Sequence, residues 1–521
     1  MGTSRTDDRS AWEGALGWVL VTIVVAGAAL RVAHLGSRLF HVDEALFSAY
    51  GLLIASGKDL LLQTEPVDKP PLFFYVLGAC FRVFGASETT AALPSLAASI
   101  GSIWLVYHLC RRLYGPGTGL AAAVLMAASP FNVAYSYTAF IDPTMVGLTL
   151  LALVLAERGQ FLGAGFVAGL LPALKAQGAL FWPAVALVAV MALVRQRESL
   201  KHWSKAAALG LAGAAVPLLV MALWSAARPQ QPPFLELANA HNPLVPADPA
   251  TYAARLDEWW RSSLQYLTGS DAANLILLAG VPLLLVWGLA TLPFDRRGRL
   301  AVAADWGLFA FCAFFVGWHV YYKLDTWDRY MVGLVPFGLI LLARVLVLPW
   351  RALALFKPQP ALAPTAVWGL GTGLALGLAL LLASPVYSGL RSTHHLGWSG
   401  SGGPTTYQGL PAAVNYLKAN APPGAKIYDY KELSWHYKYY LFDQPFKVVW
   451  FDDEYLQSFH ENVLFDPGRG NKFLVLPAWV DDSEVHDRLA GGDAVVLTPL
   501  YVAYRNDGSR SFTVYKVEAG R

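Results

Sequence analysis

The sequence predicts an α-helical polytopic membrane protein that ends in a separate α/β domain. Three observations lead there. The 521 residues are 55% hydrophobic and only 14% charged, whereas a soluble domain carries about a quarter charged residues. The apolar residues gather in long runs up to Pro385. Beyond Pro385 the chain gains charge, Asp and Tyr, and short strand-like runs replace the apolar ones. The expected division is therefore 1–385, membrane-embedded, and 386–521, a soluble domain of ordinary single-domain size.

Eleven apolar segments are expected to cross the bilayer: 15–33, 89–110, 117–139, 143–157, 161–174, 177–194, 206–226, 272–292, 303–321, 330–349 and 364–385. The first lacks a small-residue cleavage site and is read as a retained span. Segment 71–85 is also apolar but opens with Pro70-Pro71. Cytoplasmic loops collect Lys and Arg. The basic clusters Arg111-Arg112, Arg195 to Lys205, Arg296 to Arg299 and Arg351 to Lys357 fall on one side only if 71–85 does not cross. That segment is therefore an interfacial or re-entrant helix, and the N-terminus is cytoplasmic. Asp43, Lys69, Asp142, loop 227–270 and the C-terminal domain then face outward.

The outer segments have their own patterns. Ala45 to Ser56 reads as a short amphipathic helix, and Tyr252 to Leu267, with Trp259 and Trp260, as a helix at headgroup level. In the C-terminal domain, strands are expected at 425–428, 447–451, 472–476, 494–497 and 512–515, with a helix from Pro411 to Asn420. Gly397 to Gly403 is a linker or loop. Cys80, Cys110 and Cys312 lie in hydrophobic stretches without metal-ligand spacing, so no disulfide framework or cysteine-metal site is implied. A net charge of +3 gives no basic surface for nucleic acid.

Charge near a span must face water, a polar cavity or a partner. Asp43 and Glu44 sit just past the first span, where they also suit capping of the following helix. Lys69, held between Asp68 and Pro70-Pro71, suits a phosphate at headgroup depth, although interfacial lysines also snorkel. Asp142 precedes Pro143, again a helix-start pattern. Lys175 lies between two apolar segments, where an idle charge is costly. Arg329 and Tyr330 open a late span, and His241 lies in the long outer loop. Carboxylates and cations at one membrane surface suggest chemistry on a partly lipidic substrate. Two rival classes are a transporter, which would place its charges near the midplane with repeat symmetry, and a non-catalytic lipid-binding or assembly protein.

Several short motifs occur in order: Asp43-Glu44, Lys69-Pro70-Pro71-Leu72, Phe84 to Glu88, Arg111 to Gly115, Asp142, and Arg329-Tyr330. Over residues 15–350 this series resembles the GT-C membrane glycosyltransferases, in particular the branch of the bacterial lipid A aminoarabinose transferases and protein O-mannosyltransferases. The C-terminal domain matches no family by its motifs. The resemblance implies a GT-C-like fold in the bacterial cytoplasmic membrane, with the active site and C-terminal domain extracytoplasmic. It implies an inverting hexosyl- or pentosyltransferase that draws its sugar from a polyprenyl-phosphate donor. The acceptor would be a lipid, glycan or protein hydroxyl, with membrane lipids as neighbours. Asp43 would be the general base and Asp142 a second catalytic carboxylate. Lys69, Arg329 and Lys175 would hold the donor phosphate, Glu44 and Tyr330 would contact substrate, and Asp68 with His241 would form a divalent-metal site.

Overall fold

The computed structural model describes residues 4–36, 38–241, 243–267, 271–293, 298–324, 327–355, 407–430, 433–451, 456–465, 471–480, 487–490 and 494–520. The expected span 364–385 and the Gly/Ser run 397–403 lie outside these residues. In chain order the helices are α1 (Ser4–Val32), α2 (Val42–Ser56), α3 (Leu72–Phe84), α4 (Glu88–Tyr114), α5 (Pro116–Ala128), α6 (Pro130–Ser136), α7 (Asp142–Glu157), α8 (Phe161–Leu174), α9 (Trp182–Gln196), α10 (Leu200–Ala226), α11 (Phe234–His241), α12 (Tyr252–Leu267), α13 (Asp271–Thr291), α14 (Arg299–Tyr321), α15 (Asp328–Met331) and α16 (Val335–Leu355). A 3-10 turn, Ala176–Phe181, leads into α9.

Among the described residues, five helical stretches are long and apolar enough to cross a membrane: Gly14–Val32 in α1, α4, Ala176–Gln196, α10 and α14. The pair α5 and α6, bent by 56°, makes a sixth if counted as one span. Other apolar segments form shorter helices. The 13 residues of α3 rise about 20 Å at ~1.5 Å each, well short of a hydrocarbon core of about 30 Å. The bend between α5 and α6 follows from Ser129-Pro130, because proline cannot continue the amide ladder. Arg31 answers the carbonyls freed there. Its guanidinium is fully buried and donates to Met126 O at 3.0 Å, Ala127 O at 2.9 Å and Ser99 Oγ at 2.8 Å.

The described residues form two compact units. The first comprises Met1–Leu35, Leu61–Phe73 and Ala92–Leu396. Several of its buried charges are paired. Arg344 forks onto both oxygens of Asp305 at 2.8 and 2.7 Å, and Glu157 is bridged by Arg112 and Arg195. Helices α8 and α10 approach through small residues, since a side chain at Gly165 or Gly213 would collide with the facing backbone.

The second unit comprises Gly36–Leu60, Phe74–Ala91 and Gly397–Arg521. Its sheet holds β1 (Lys426–Tyr430), β2 (Lys447–Phe451), β3 (Lys472–Pro477), β4 (Val495–Tyr504) and β5 (Arg510–Ala519) in the order β2-β1-β3-β5-β4. β1 pairs parallel with β2 and β3, while β5 runs antiparallel to β3 and β4. Central β3 is buried along its length, as expected of a strand covered on both faces. Helix α17 (Leu410–Asn420) and α18 (Ser434–Tyr440) pack on Ile427, Val475 and Phe512, and α19 (Leu456–Phe465) covers Tyr428, Leu474 and Tyr515. The aromatic face of α18 also meets the N-terminal segments of this unit. Trp435 meets Tyr50 at 5.1 Å between ring centroids, and the Tyr440 hydroxyl donates to Glu88 at 2.7 Å.

Candidate functional site

In the first unit, three separated segments bring a carboxylate, two cations and a set of aromatic rings together. Asp142 is the first residue of α7, with Pro143 next to it. Its carboxylate does not cap the helix, whose N-terminus has no side-chain cap. It is buried and takes a hydrogen bond from Lys175 Nζ at 2.6 Å instead. Lys175 lies in extended backbone where α8 has ended and the 3-10 turn has not begun. Pro172 helps end α8, and Gly178 allows the turn to fold back, because any Cβ there would strike the Leu171 carbonyl. The break delivers the ammonium to Asp142, so the charge that looked idle in the sequence is paired.

Lys175 Nζ also lies 4.3 Å from the centre of the Tyr330 ring, within cation–π range. The Arg329 guanidinium lies 4.7 Å from the Trp327 ring and 5.8 Å from those of Phe140 and Tyr330. Asp328 Oδ1 accepts the Arg329 amide at 2.7 Å. Burial pushes the Asp328 carboxyl up to about 6; the Tyr135 hydroxyl and Arg329 oppose this, and Asp142 adds to it. Beside this cluster, Gln177 Nε2 and His319 Nε2 are 2.9 Å apart, and His319 Nδ1 is 2.8 Å from the Phe315 carbonyl. A carbonyl can only accept, so Nδ1 carries the proton and Nε2 accepts from the Gln177 amide. Asp142, Lys175, Arg329 and Tyr330 are thus brought together. Asp328, Tyr135, Gln177 and His319 join them without having been singled out in the sequence. Asp328 stands in the same run as Arg329, where it reads as a helix-start residue, and His319 is hidden inside an apolar span.

Lys69 belongs to the first unit as well. Both Asp68 oxygens accept from its Nζ, at 3.1 and 3.0 Å, and about a third of the Lys69 side chain stays exposed. His241 Nδ1 is 3.8 Å from Asp68 Oδ2, but that nitrogen donates to the Leu237 carbonyl at 2.9 Å. Among the described residues no third His, Cys, Asp or Glu completes a metal-binding group with them. Two donors, one engaged with a lysine and the other with its own helix, do not fit a closed metal site. No chemical step is assigned to a metal.

Asp43 and Glu44 belong to the second unit, at the start of α2. The cap is His41: its Nδ1 accepts the Asp43 amide at 3.2 Å, and Glu44 Oε2 accepts the His41 amide at 2.8 Å. Arg38 forks onto the same carboxylate at 2.9 and 2.6 Å. Glu44, fully buried, therefore braces the helix start. Neither capping bond uses the Asp43 carboxylate, which is about one-fifth exposed and lies 3.6 Å from His41 Nδ1.

Set against solved structures, the chain superposes on ArnT from Cupriavidus metallidurans in the apo state, with a TM-score of 0.59 over 96% of this chain and 98% of that one, at 14% identity. The fold is that of the GT-C membrane glycosyltransferases. ArnT bound to undecaprenyl phosphate matches this chain with a TM-score of 0.58. The family model described as dolichyl-phosphate-mannose-protein mannosyltransferase matches residues 68–224, a stretch that holds Lys69, Asp142 and Lys175. The putative mannosyltransferase YycA of Bacillus subtilis (strain 168) is 34% identical over 85 residues, 16% of this chain and 12% of its own length. The undecaprenyl phosphate-alpha-4-amino-4-deoxy-L-arabinose arabinosyl transferase of Pseudomonas paraeruginosa (strain DSM 24068 / PA7) is 30% identical over 226 residues, 40% of each chain. The chain therefore spans well under two thirds of either curated relative.

Proposed function

We propose that this protein is an inverting glycosyltransferase that moves a sugar from a polyprenyl-phosphate donor to an acceptor hydroxyl at the outer face of a bacterial cytoplasmic membrane. The observation that carries this reading is the assembly of Asp142, Lys175, Arg329 and Tyr330 from three distant segments. Cations and rings held beside a buried carboxylate suit a substrate that couples an anionic phosphate to a sugar. The solved ArnT complex with undecaprenyl phosphate and the names of the relatives support the same donor class.

In this reading Asp43 removes the acceptor proton, and the acceptor oxygen attacks the anomeric carbon from the side opposite the phosphate. The bond from that carbon to the phosphate oxygen breaks, and polyprenyl phosphate departs with the electron pair. Lys69, Arg329 and Lys175 neutralise the charge that develops on it, the largest catalytic contribution expected here. Asp142 fixes Lys175 and orients it. Tyr330 presents its ring to the sugar, and Glu44 acts by holding the helix that bears Asp43. The transferred group is a hexose or pentose, and the acceptor a lipid, glycan or protein.

The test is Asp43→Asn in the purified full chain. Donor binding is expected to persist while turnover falls about 10²- to 10⁴-fold, the usual share of a positioned base. Unchanged turnover would remove Asp43 from the mechanism.

A further inference from the structure

The segment that carries Lys69 has no regular secondary structure between α2 and α3, so its backbone carbonyls need partners from elsewhere. Two side chains just past the end of α10 supply them. Arg228 is buried, and its guanidinium donates to Leu62 O through Nε at 3.1 Å and Nη2 at 2.5 Å, and to Glu65 O at 3.0 Å. Gln231 Nε2 donates to Gln63 O at 2.7 Å. Leu62 adopts a left-handed backbone, φ +54°, which a leucine takes only under constraint. This conformation goes with a carbonyl that meets Arg228 twice. The Trp224 ring, in the last turn of α10, lies 4.5 Å from the guanidinium. Downstream of Glu65, Pro66, Pro70 and Pro71 leave the chain few alternatives, and Val67 is fully buried.

We infer that Arg228 and Gln231 are positioning residues, a clamp that sets the path of residues 62–65 and through it the place of Lys69. Neither needs to touch substrate. The inference rests on the proposed role of Lys69 at the donor phosphate. Arginine is required because one planar fork reaches two carbonyls, whereas a lysine offers a point donor.

The test is a double-mutant cycle on the purified full chain in detergent, with undecaprenyl phosphate as the probe. Lys69→Ala is expected to weaken binding. Arg228→Lys and Gln231→Ala are each expected to weaken it about tenfold, within the reach of a misplaced binding group. Their thermal unfolding should stay close to that of the parent. The decisive readout is non-additivity: once Lys69→Ala is in place, Arg228→Lys should cost little more. A merely structural role would lower binding equally in both backgrounds, and that result overturns the inference, as does full affinity in Arg228→Lys and Gln231→Ala while Lys69→Ala binds poorly. If Lys69→Ala itself binds normally, the clamp falls together with the reading of Lys69.

Discussion

Replacing Lys175 with methionine tests the charge pair at the candidate site. The substitution keeps most of the apolar stem and removes the ammonium from Asp142, whose side chain is only 2% exposed. At the observed 2.6 Å, two unit charges in an effective dielectric of about 20 interact by about 6 kcal/mol. Lys175 is partly open to solvent, which screens that value, and removing one partner of a buried pair costs about 3–5 kcal/mol. A loss of about 3 kcal/mol is therefore expected for Lys175→Met. The double variant Asp142→Asn/Lys175→Met leaves no orphaned charge and should lose no more than about 1 kcal/mol. The assay is denaturant unfolding of the purified chain in detergent, followed by the fluorescence of its 18 tryptophans. A single variant within about 0.5 kcal/mol of the parent, or a double variant as unstable as the two singles summed, would refute the reasoning.

Two further outcomes follow from the same geometry. The Asp328 carboxyl is raised from 3.8 to about 6 by burial, so its share of stability is complete below pH 3.8 and lost as pH rises through about 6. Asp328→Asn should match the parent near pH 4 and exceed it by up to about 3 kcal/mol at pH 8, which unfolding curves at the two pH values would check. Arg38→Met strands the buried Glu44 carboxylate and should destabilise the second unit by about 3 kcal/mol. Glu44→Gln, which keeps an acceptor for the His41 amide, should cost less; the order of the two variants in thermal unfolding decides the point.

Much of this architecture can be read from the chain. Val448-Val449, the run from Phe473 to Leu476, and Phe512 to Tyr515 are β-branched and apolar runs bounded by turn residues, and each lies in a strand. Tyr252 to Leu267 forms the expected helix because its apolar residues recur at helical spacing. Side-chain pairing was less legible. Asp142 before Pro143 carries a helix-start pattern, and the partner that claims it lies 33 residues away at a backbone break. The capping role at α2 fell to His41 and Glu44, because the helix begins one residue before Asp43. Arg228, in a loop with few basic residues, gives no local sign that it binds carbonyls near Leu62. Such contacts depend on which segments the fold makes adjacent, and no periodicity encodes that.

The central claim is that the ionic residues of this GT-C fold act on a lipid-linked sugar. Its most direct measurement incubates the purified protein with a panel of radiolabelled polyprenyl-phosphate sugars and follows release of polyprenyl phosphate. The account predicts turnover of at least one donor, slowed about 10²- to 10⁴-fold in Asp43→Asn and weakened in Lys69→Ala. A panel in which no donor is bound or consumed, or in which both variants turn over like the parent, would contradict it.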